Sequence, residues 1–184
     1  MRKLIVILAA AALLPATAKA QTYLKANALY YAAGVPNLSA ETRLFDKWTF
    51  NGDFVYSPWQ SINNRPYVIW QIIPEVRFYV KQANKGFYIG AYAAADFYKL
   101  CKWDHPEYEI QHGWGVALGC TLGYEMSIGG RWLMDFYVGG GWHHGWYWGE
   151  DKLHGGMYAR WNRSGEWIPY KAGVAFAYRI SKKK

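Results

Sequence analysis

The feature that most constrains this chain is a strict alternation of residue types near its C-terminus. Lys171, Gly173 and Arg179, with alanines between them, separate a row of apolar residues that occupy every second position. That row is Ile168, Tyr170, Ala172, Val174, Phe176, Tyr178 and Ile180. A two-residue period places the row on one face of a strand. An apolar face opposite a small or polar face is typical of a transmembrane β-barrel strand.

The first twenty residues predict an export signal. Arg2 and Lys3 precede an apolar run, and Ala18-Lys19-Ala20 is a small-x-small cleavage site. The run is too short for a membrane-spanning helix, which needs about 20 residues. We therefore expect residues 1–20 to be a removed signal peptide and residues 21–184 to be a single outer-membrane β-barrel domain. Loss of the signal lowers the formal charge from +8 to +5.

Eight strands are predicted, at residues 22–32, 37–45, 47–57, 67–80, 87–98, 112–126, 131–145 and 167–180. Connections after the second, fourth and sixth strands are short, whereas three of the other four are long. This asymmetry is typical of outer-membrane barrels. The fold class is therefore predicted as all-β: an eight-stranded antiparallel up-and-down transmembrane β-barrel of the small OmpA/OmpX type, with a closed polar interior. Pro74 interrupts the fourth strand and predicts a bulge there.

The inward positions of these strands carry charges of both signs. The predicted ion-pair network consists of the cations Lys25, Arg43, Arg77, Arg131, Lys171 and Arg179 and the acids Glu41, Asp53, Glu75, Asp96, Glu125 and Asp135. An eight-stranded barrel has an interior just wide enough for side chains, and an isolated buried charge is costly. The balance of six cations and six acids favours a packed interior over an open pore.

Aromatic residues are unusually frequent, with 11 Trp and 16 Tyr. Aromatic side chains collect at the two lipid–water interfaces of membrane barrels. A predicted loop over residues 146–166 adds a second interpretation, because exposed tryptophans also bind partners. The candidate partner-binding residues are Trp146, Trp148, Trp161 and Trp167.

The last strand also carries a candidate assembly signal. Lys171, Gly173, Phe176 and Tyr178 follow a polar-x-Gly pattern with alternating hydrophobic residues. This pattern resembles the C-terminal signal read by the barrel-assembly machinery, although the chain continues to Lys184 rather than ending on an aromatic residue.

Several segments carry a family resemblance. The first is Leu24-Lys25-Ala26-Asn27-Ala28-Leu29-Tyr30-Tyr31 with Pro36-Asn37-Leu38-Ser39-Ala40-Glu41, and the second is Trp70-Gln71-Ile72-Ile73-Pro74-Glu75-Val76-Arg77-Phe78-Tyr79. Both resemble the domain-of-unknown-function 3575 family of exported Bacteroidetes proteins, and the segment from Gly113-Trp114-Gly115 to Gly123-Tyr124 and the final Lys171-Ala172-Gly173 also fit. The resemblance implies a small outer-membrane-type barrel and no activity. It also implies a link to surface fimbrial genes, and hence a role in adhesion or assembly.

Other chemistry finds less support in the sequence. The five histidines, His105, His112, His143, His144 and His154, lie in or near the predicted long connections without a metal-binding spacing. No nucleophile motif accompanies the serines Ser57, Ser61 and Ser164. The acid–base candidates for a rim enzyme are His105 with Asp104 and Glu107, and His154 with Glu150 and Asp151. The disulfide state of Cys101 and Cys120 stays open.

We therefore expect a small, monomeric, non-enzymatic outer-membrane protein of a Gram-negative bacterium, without cofactor, metal or nucleic acid. Its role would be structural or surface interaction with a protein or a glycan, beside its contacts with membrane lipid and the assembly machinery. One alternative is a small-molecule barrel, either lipocalin-like and lipid-binding or with a metal or haem site at its rim. Another alternative is a rim enzyme that acts on lipid or peptide.

Overall fold

The computed structural model describes residues 21–59, 66–101, 109–151, 153 and 156–181, and for residues 156–162 it describes the backbone alone. The predicted signal peptide therefore lies outside the described residues. No helix among the described residues is long and apolar enough to cross a membrane.

Eight strands and one short helix make up the described chain. The strands are β1 (Thr22–Asn27), β2 (Asn37–Arg43), β3 (Trp48–Ser57), β4 (Tyr67–Tyr79), β5 (Gly86–Leu100), β6 (Glu109–Gly129), β7 (Trp132–Asp151) and β8 (Gly156–Arg179), and the helix is α1 (Ala28–Ala32). Each strand pairs antiparallel with the next, and β1 pairs with β8, so the sheet closes into a barrel. The prediction of an all-β fold with eight antiparallel up-and-down strands is confirmed.

The first predicted strand is wrong beyond residue 27. Residues 28–32 form α1, whose first turn is capped by Asn27: the side-chain oxygen accepts a hydrogen bond from Leu29 N at 3.0 Å. The helix ends before Gly34, which has a φ of 74°. The residues from Ala28 to Ala32 lack the alternation that would hold them in a half-buried strand.

The predicted long loop over residues 146–166 is also wrong. Strand β7 continues to Asp151 and β8 begins at Gly156, so most of this segment is sheet. As a result β6, β7 and β8 contain 21, 20 and 24 residues, whereas β1 and β2 contain 6 and 7. At the long-connection end β6 continues two residues past the end of β5, because Leu100 lies opposite Gln111, and β7 and β8 continue beside it as a long hairpin.

The two faces of the barrel differ as the alternation predicts. In β6 the residues Trp114, Val116, Leu118, Cys120, Leu122, Tyr124 and Met126 are all exposed on the outer face. The buried side chains of the described chain include more polar and charged residues than hydrophobic ones. The interior is thus polar and the outer wall is apolar.

The irregularity in the sheet does not lie at Pro74. The pairing of β4 with β5 keeps one register on both sides of Pro74, so the predicted bulge is absent there. Instead the pairing of β7 with β8 shifts between Gly139 and Gly140, opposite Pro169. This shift turns both Tyr170 and Lys171 into the interior.

The bulge corrects two predicted orientations. Ile168 and Tyr170 were expected on the outer face, but Tyr170 is buried in the interior and Ile168 packs against the same interior cluster. Beyond the bulge, from Ala172 to Ile180, the predicted alternation agrees with the structure.

Glycines on the inner face of β6 make room for tyrosines of β5. Tyr92 lies directly opposite Gly119, and Tyr88 lies opposite Gly123. A Cβ atom on Gly123 would lie 2.3 Å from the ring of Tyr88, and one on Gly119 would lie 2.5 Å from the Tyr92 hydroxyl. The narrow interior is therefore filled by rings from one strand packed over bare backbone of the next.

Candidate functional site

Nine of the twelve residues of the predicted ion-pair network are buried. The other three are Arg43, Arg131 and Arg179, which lie near the short turns: Arg43 pairs with Asp46 at 2.7 Å, Arg131 is exposed and Arg179 is half-buried. The exposed charged group of Arg131 remains hydrated. Arg43 and Arg179 keep the inward parity of β2 and β8, and Nε of Arg179 is itself buried. The prediction of an interior position is therefore wrong for Arg131, whereas Arg43 and Arg179 are half-buried at the short-turn end.

The buried part of the network is consequently not balanced in charge. Its cations are Lys25, Arg77 and Lys171, and its acids are Glu41, Asp53, Glu75, Asp96, Glu125 and Asp135. Three buried cations face six buried carboxyl groups, so the interior is formally acidic although the whole chain is basic.

The largest group of ion pairs surrounds Lys25 and Arg77. The ammonium group of Lys25 bonds to Glu41, Glu125 and Asp135, with 2.9 Å to the last. Nη1 of Arg77 lies 2.9 Å from Glu41 and 2.8 Å from Asp135. Five side chains from five strands thus meet in one buried cluster.

Three carboxylates of this cluster also resemble a metal-binding set. Glu41, Glu125 and Asp135 each place a ligand atom within 4.8 Å of the others, and this is the one such group among the described residues. Because the Lys25 ammonium bonds to all three, ion pairing accounts for their convergence. Nothing in their geometry requires a metal.

A second group of ion pairs surrounds Lys171 at mid-barrel. Its Nζ lies 2.7 Å from Asp53 and 3.0 Å from Glu75. Asn51 donates to the same two carboxylates, and Glu75 also binds Arg77 at 2.9 Å. Glu75 therefore joins the two groups into one continuous network through the barrel.

Near the long-connection end, Asp96 forms a third group. Its Oδ1 accepts a hydrogen bond from the Tyr170 hydroxyl at 2.8 Å and lies 3.0 Å from Nε2 of His143. These residues line a cavity of about 260 Å³ that also includes Ser164 and Glu166. Sequence reasoning missed this group. The sequence feature that could have revealed it is the alternation of β7, which places His143 on the same inward face as Gly139, Gly141 and Gly145.

The helix α1 stands beside the same end of the barrel and packs against β8. Burial, with the nearby carboxylate of Asp53, raises the pKa of Tyr30 in this helix to about 12. The phenol is therefore neutral at any physiological pH.

The three histidines that the structure describes do not lie together. His143 faces the interior, whereas His144 packs edge-on against Trp146 at 4.5 Å, and His112 lies 3.1 Å from Glu150. His105, with Asp104 and Glu107, and His154 lie outside the described residues. Cys101 and Cys120 are not joined by a disulfide, and Cys120 is exposed on the outer face of β6.

The outer face of β6 and β7 carries a series of stacked rings. Trp114 stacks on Trp146 with 4.2 Å between ring centroids, and His112 stacks on Trp148 at 5.5 Å. Both are directly opposed cross-strand pairs, two residues apart on each strand. Trp146 and Trp148, which were predicted as loop residues, therefore lie in strand β7, where each stacks on a ring of β6.

A third aromatic pair continues this series onto β8. Trp142 packs edge-on against Trp167 at 6.0 Å, and Gly165 gives the Trp142 ring its space. Trp167 is 76% exposed. We name the six residues of these three pairs the aromatic ladder. The side chain of Trp161, the fourth predicted partner-binding residue, lies outside the described residues.

The residues of the candidate assembly signal lie on both faces of β8. Lys171 and Gly173 face the interior, where the Asn27 amide occupies the space that a Cβ of Gly173 would take. Phe176 and Tyr178 are exposed on the outer face, and Tyr178 packs on Trp132 at 4.9 Å. Each residue therefore has a structural role within the folded barrel, and recognition by the assembly machinery stays a prediction.

Comparison with known proteins identifies a family. The model of the family described as "Protein of unknown function (DUF3575)" matches residues 4–180, nearly the whole chain. No curated protein and no solved structure matches the chain. The resemblance noted in the first hairpin and in β4 is thereby confirmed, and the chain belongs to the DUF3575 family.

Proposed function

We propose that this protein is an outer-membrane β-barrel with a structural or surface-interaction role, without enzymatic activity, and that the aromatic ladder on the extended strands β6–β8 contacts the partner. The observation that carries the proposal is the combination of strand length and aromatic stacking at one end of the barrel.

The distribution of side chains supports a membrane location. Large apolar residues such as Leu118, Leu122 and Val138 are exposed on the outer wall, at 69%, 60% and 58%. Exposed apolar surface of this extent is unfavourable in water and favourable against lipid. A lipocalin-like barrel would have the reverse arrangement, with its apolar side chains inside around a lipid.

Strand length supports a projecting surface. A tilted strand crosses a bilayer with about 9–11 residues, whereas β6, β7 and β8 have 20 to 24. Barrel stagger accounts for part of the difference between neighbours. The remaining residues would extend beyond the lipid as a sheet that carries Trp146 and Trp148, and β5 joins this sheet at the same level, where Lys99 pairs with His112.

Rigid aromatic rings suit a binding surface. Stacked tryptophans offer large contact area with little loss of side-chain entropy, which makes them frequent in binding hot spots. Partners of matching chemistry are a protein with an apolar patch or a glycan, including an appendage subunit if the fimbrial association of the family applies here.

The membrane location is tested by cell fractionation and heat-modifiability. We expect the protein in the outer-membrane fraction, with unboiled and boiled samples migrating differently on a detergent gel because the closed barrel resists unfolding. An unshifted band in the soluble periplasmic fraction would refute the membrane location.

The interaction role is tested by photo-crosslinking in intact cells. A benzophenone side chain replaces Trp148 on the ladder, and a matched control carries it at Leu122 on the apolar wall. We expect discrete crosslinked protein or glycan adducts from position 148 and none of these from position 122. The same adducts from both positions, or from neither, would contradict the proposed surface.

A further inference from the structure

The cavity at the long-connection end of the barrel is acidic. Asp96 and Glu166 line it, and among the residues that the structure describes no Lys or Arg lines it. The nearest cations along the same strands, Lys99 and Arg163, occupy outward positions in the alternation, and Lys171 is paired deeper in the barrel.

The field of the interior adds to this local charge. Among the described residues, six buried carboxyl groups against three buried cations leave the interior formally acidic, and Asp96 is the one of these six that lines the cavity. Low-dielectric walls focus such a field toward an opening. The negative character is confined to the interior and its cavity, because the chain as a whole is basic.

Aromatic rings surround the two acids. Tyr98, Tyr147 and Tyr170 line the cavity, and the Tyr170 hydroxyl bonds to Asp96 at 2.8 Å. The ring of His143 lies 6.0 Å from that of Tyr170. Ring faces together with carboxylates are the combination by which proteins bind ammonium groups, through cation–π attraction and ion pairing.

The size of the cavity limits the ligand. Its volume of about 260 Å³ is slightly below the range of 300–1,000 Å³ that drug-sized ligands occupy. A compact molecule of roughly ten non-hydrogen atoms fits, whereas a lipid chain or an oligosaccharide does not.

We propose that this cavity binds a small organic cation, with its ammonium group against Asp96 and Glu166 and its carbon atoms against the tyrosine rings. The proposal does not depend on the surface-interaction role, because the aromatic ladder lies on the outer face of the barrel.

Choline is a suitable probe, and 3,3-dimethylbutanol is its neutral counterpart of the same shape. The folded protein is titrated with each in a maltoside detergent, which contains no amine, and binding is followed by calorimetry and by tyrosine fluorescence. We expect saturable choline binding with a millimolar Kd and no saturable binding of the alcohol.

Variants locate the site. Asp96→Asn keeps the shape and the Tyr170 contact but removes the charge, and Glu166→Gln does the same at the mouth. We expect each to weaken choline binding by about tenfold. Glu150→Gln is the matched control, since Glu150 lies at the same end of the barrel on β7 but outside the cavity, where it contacts His112, and it should leave the Kd unchanged.

Several results would overturn the proposal. Equal binding of choline and the alcohol would indicate an apolar cavity, and an unchanged Kd in both cavity variants would place the site elsewhere. Absence of saturable binding by the folded protein would refute it outright. Heat-modifiability of each variant confirms that folding is retained, and Glu166→Gln, whose residue is exposed, keeps the test available if Asp96→Asn does not fold.

Discussion

At the scale of single residues, the interior is packed through cross-strand pairs in which a tyrosine of one strand lies opposite a glycine of the next. Tyr88 and Tyr92 of β5 lie over Gly123 and Gly119 of β6, and the Tyr98 ring lies over Gly113 in the same way. An eight-stranded barrel has little room, so the ring of one strand is accommodated only because its neighbour lacks a Cβ atom.

Adding a methyl group at such a pair should therefore destabilise the barrel. We expect Gly123→Ala to lower the free energy of unfolding by about 1–3 kcal/mol, the range for overpacking, because the new Cβ would lie 2.3 Å from the Tyr88 ring. The measurement is urea unfolding in detergent, followed by tryptophan fluorescence. Gly52→Ala is the control, since its nearest contact would be Phe50 at 4.0 Å. Equal losses in the two variants would contradict this account.

Lys25 is the residue whose removal should matter most among the ion pairs. It bonds to three buried carboxylates, and Lys25→Met would leave Arg77 as their one cationic partner among the described residues. Loss of one partner from a buried ion-pair cluster costs about 3–5 kcal/mol. We expect Lys25→Met to lose the heat-modifiable band, and Arg131→Met, which replaces an exposed cation, to retain it. A folded Lys25→Met protein of unchanged stability would show that the cluster is not held by this ammonium group.

At the scale of elements, the strands with regular alternation were predictable and the irregular ones were not. The two faces of β6 follow from its period of two, because its inner face consists largely of glycines and its outer face is apolar from Trp114 to Met126. The orientation of Tyr170 was not predictable, since one extra residue at a bulge reverses the side-chain parity without any change in composition. Pro74 suggested a bulge in β4 because proline has no backbone N–H donor, but the register with β5 does not shift there.

The extent of β7 and β8 was underestimated for a related reason. Glycine, tryptophan and charged residues between Trp146 and Glu166 suggest a loop, yet cross-strand stacking of Trp146 on Trp114 holds the same residues in a sheet. The sequence identified individual acids and tryptophans of the candidate site but not how they group. Their grouping into a cavity and an aromatic ladder depends on the strand register.

The end of the β7–β8 hairpin should be separable from the barrel. Beyond the pair Tyr147–Asn162, these strands pair with β6 and with each other. We expect replacement of residues 149–158 by an Asn-Gly turn to leave the heat-modifiable band intact, because a shorter hairpin closes at lower entropic cost. Loss of folding in this variant, measured on the same gel, would mean that the extension is required for barrel closure.

At the scale of the whole molecule, the ion-pair network decides what can pass through the barrel. The network runs from Glu41 through Arg77 and Glu75 to Lys171, and each of these side chains is at most 4% exposed. A hydrated ion would have to displace paired charges from a low-dielectric interior, which costs several kcal/mol per ion. A barrel filled in this way is suited to present a surface rather than to conduct.

We therefore expect the purified protein to produce no steady ion conductance in planar lipid bilayers. The positive control is a variant in which Lys171→Ala and Arg77→Ala are combined with Asp53→Ala and Glu75→Ala, so that two cations leave together with two of their carboxylate partners. It should admit ions if it folds, as its heat-modifiability reports. Conductance is recorded at both polarities and at low and high salt, because screening weakens partly exposed ion pairs far more than buried ones. Steady conductance by the unmodified protein would contradict a filled interior, whereas a silent unmodified barrel beside a conducting, folded variant would show that these side chains keep the barrel closed.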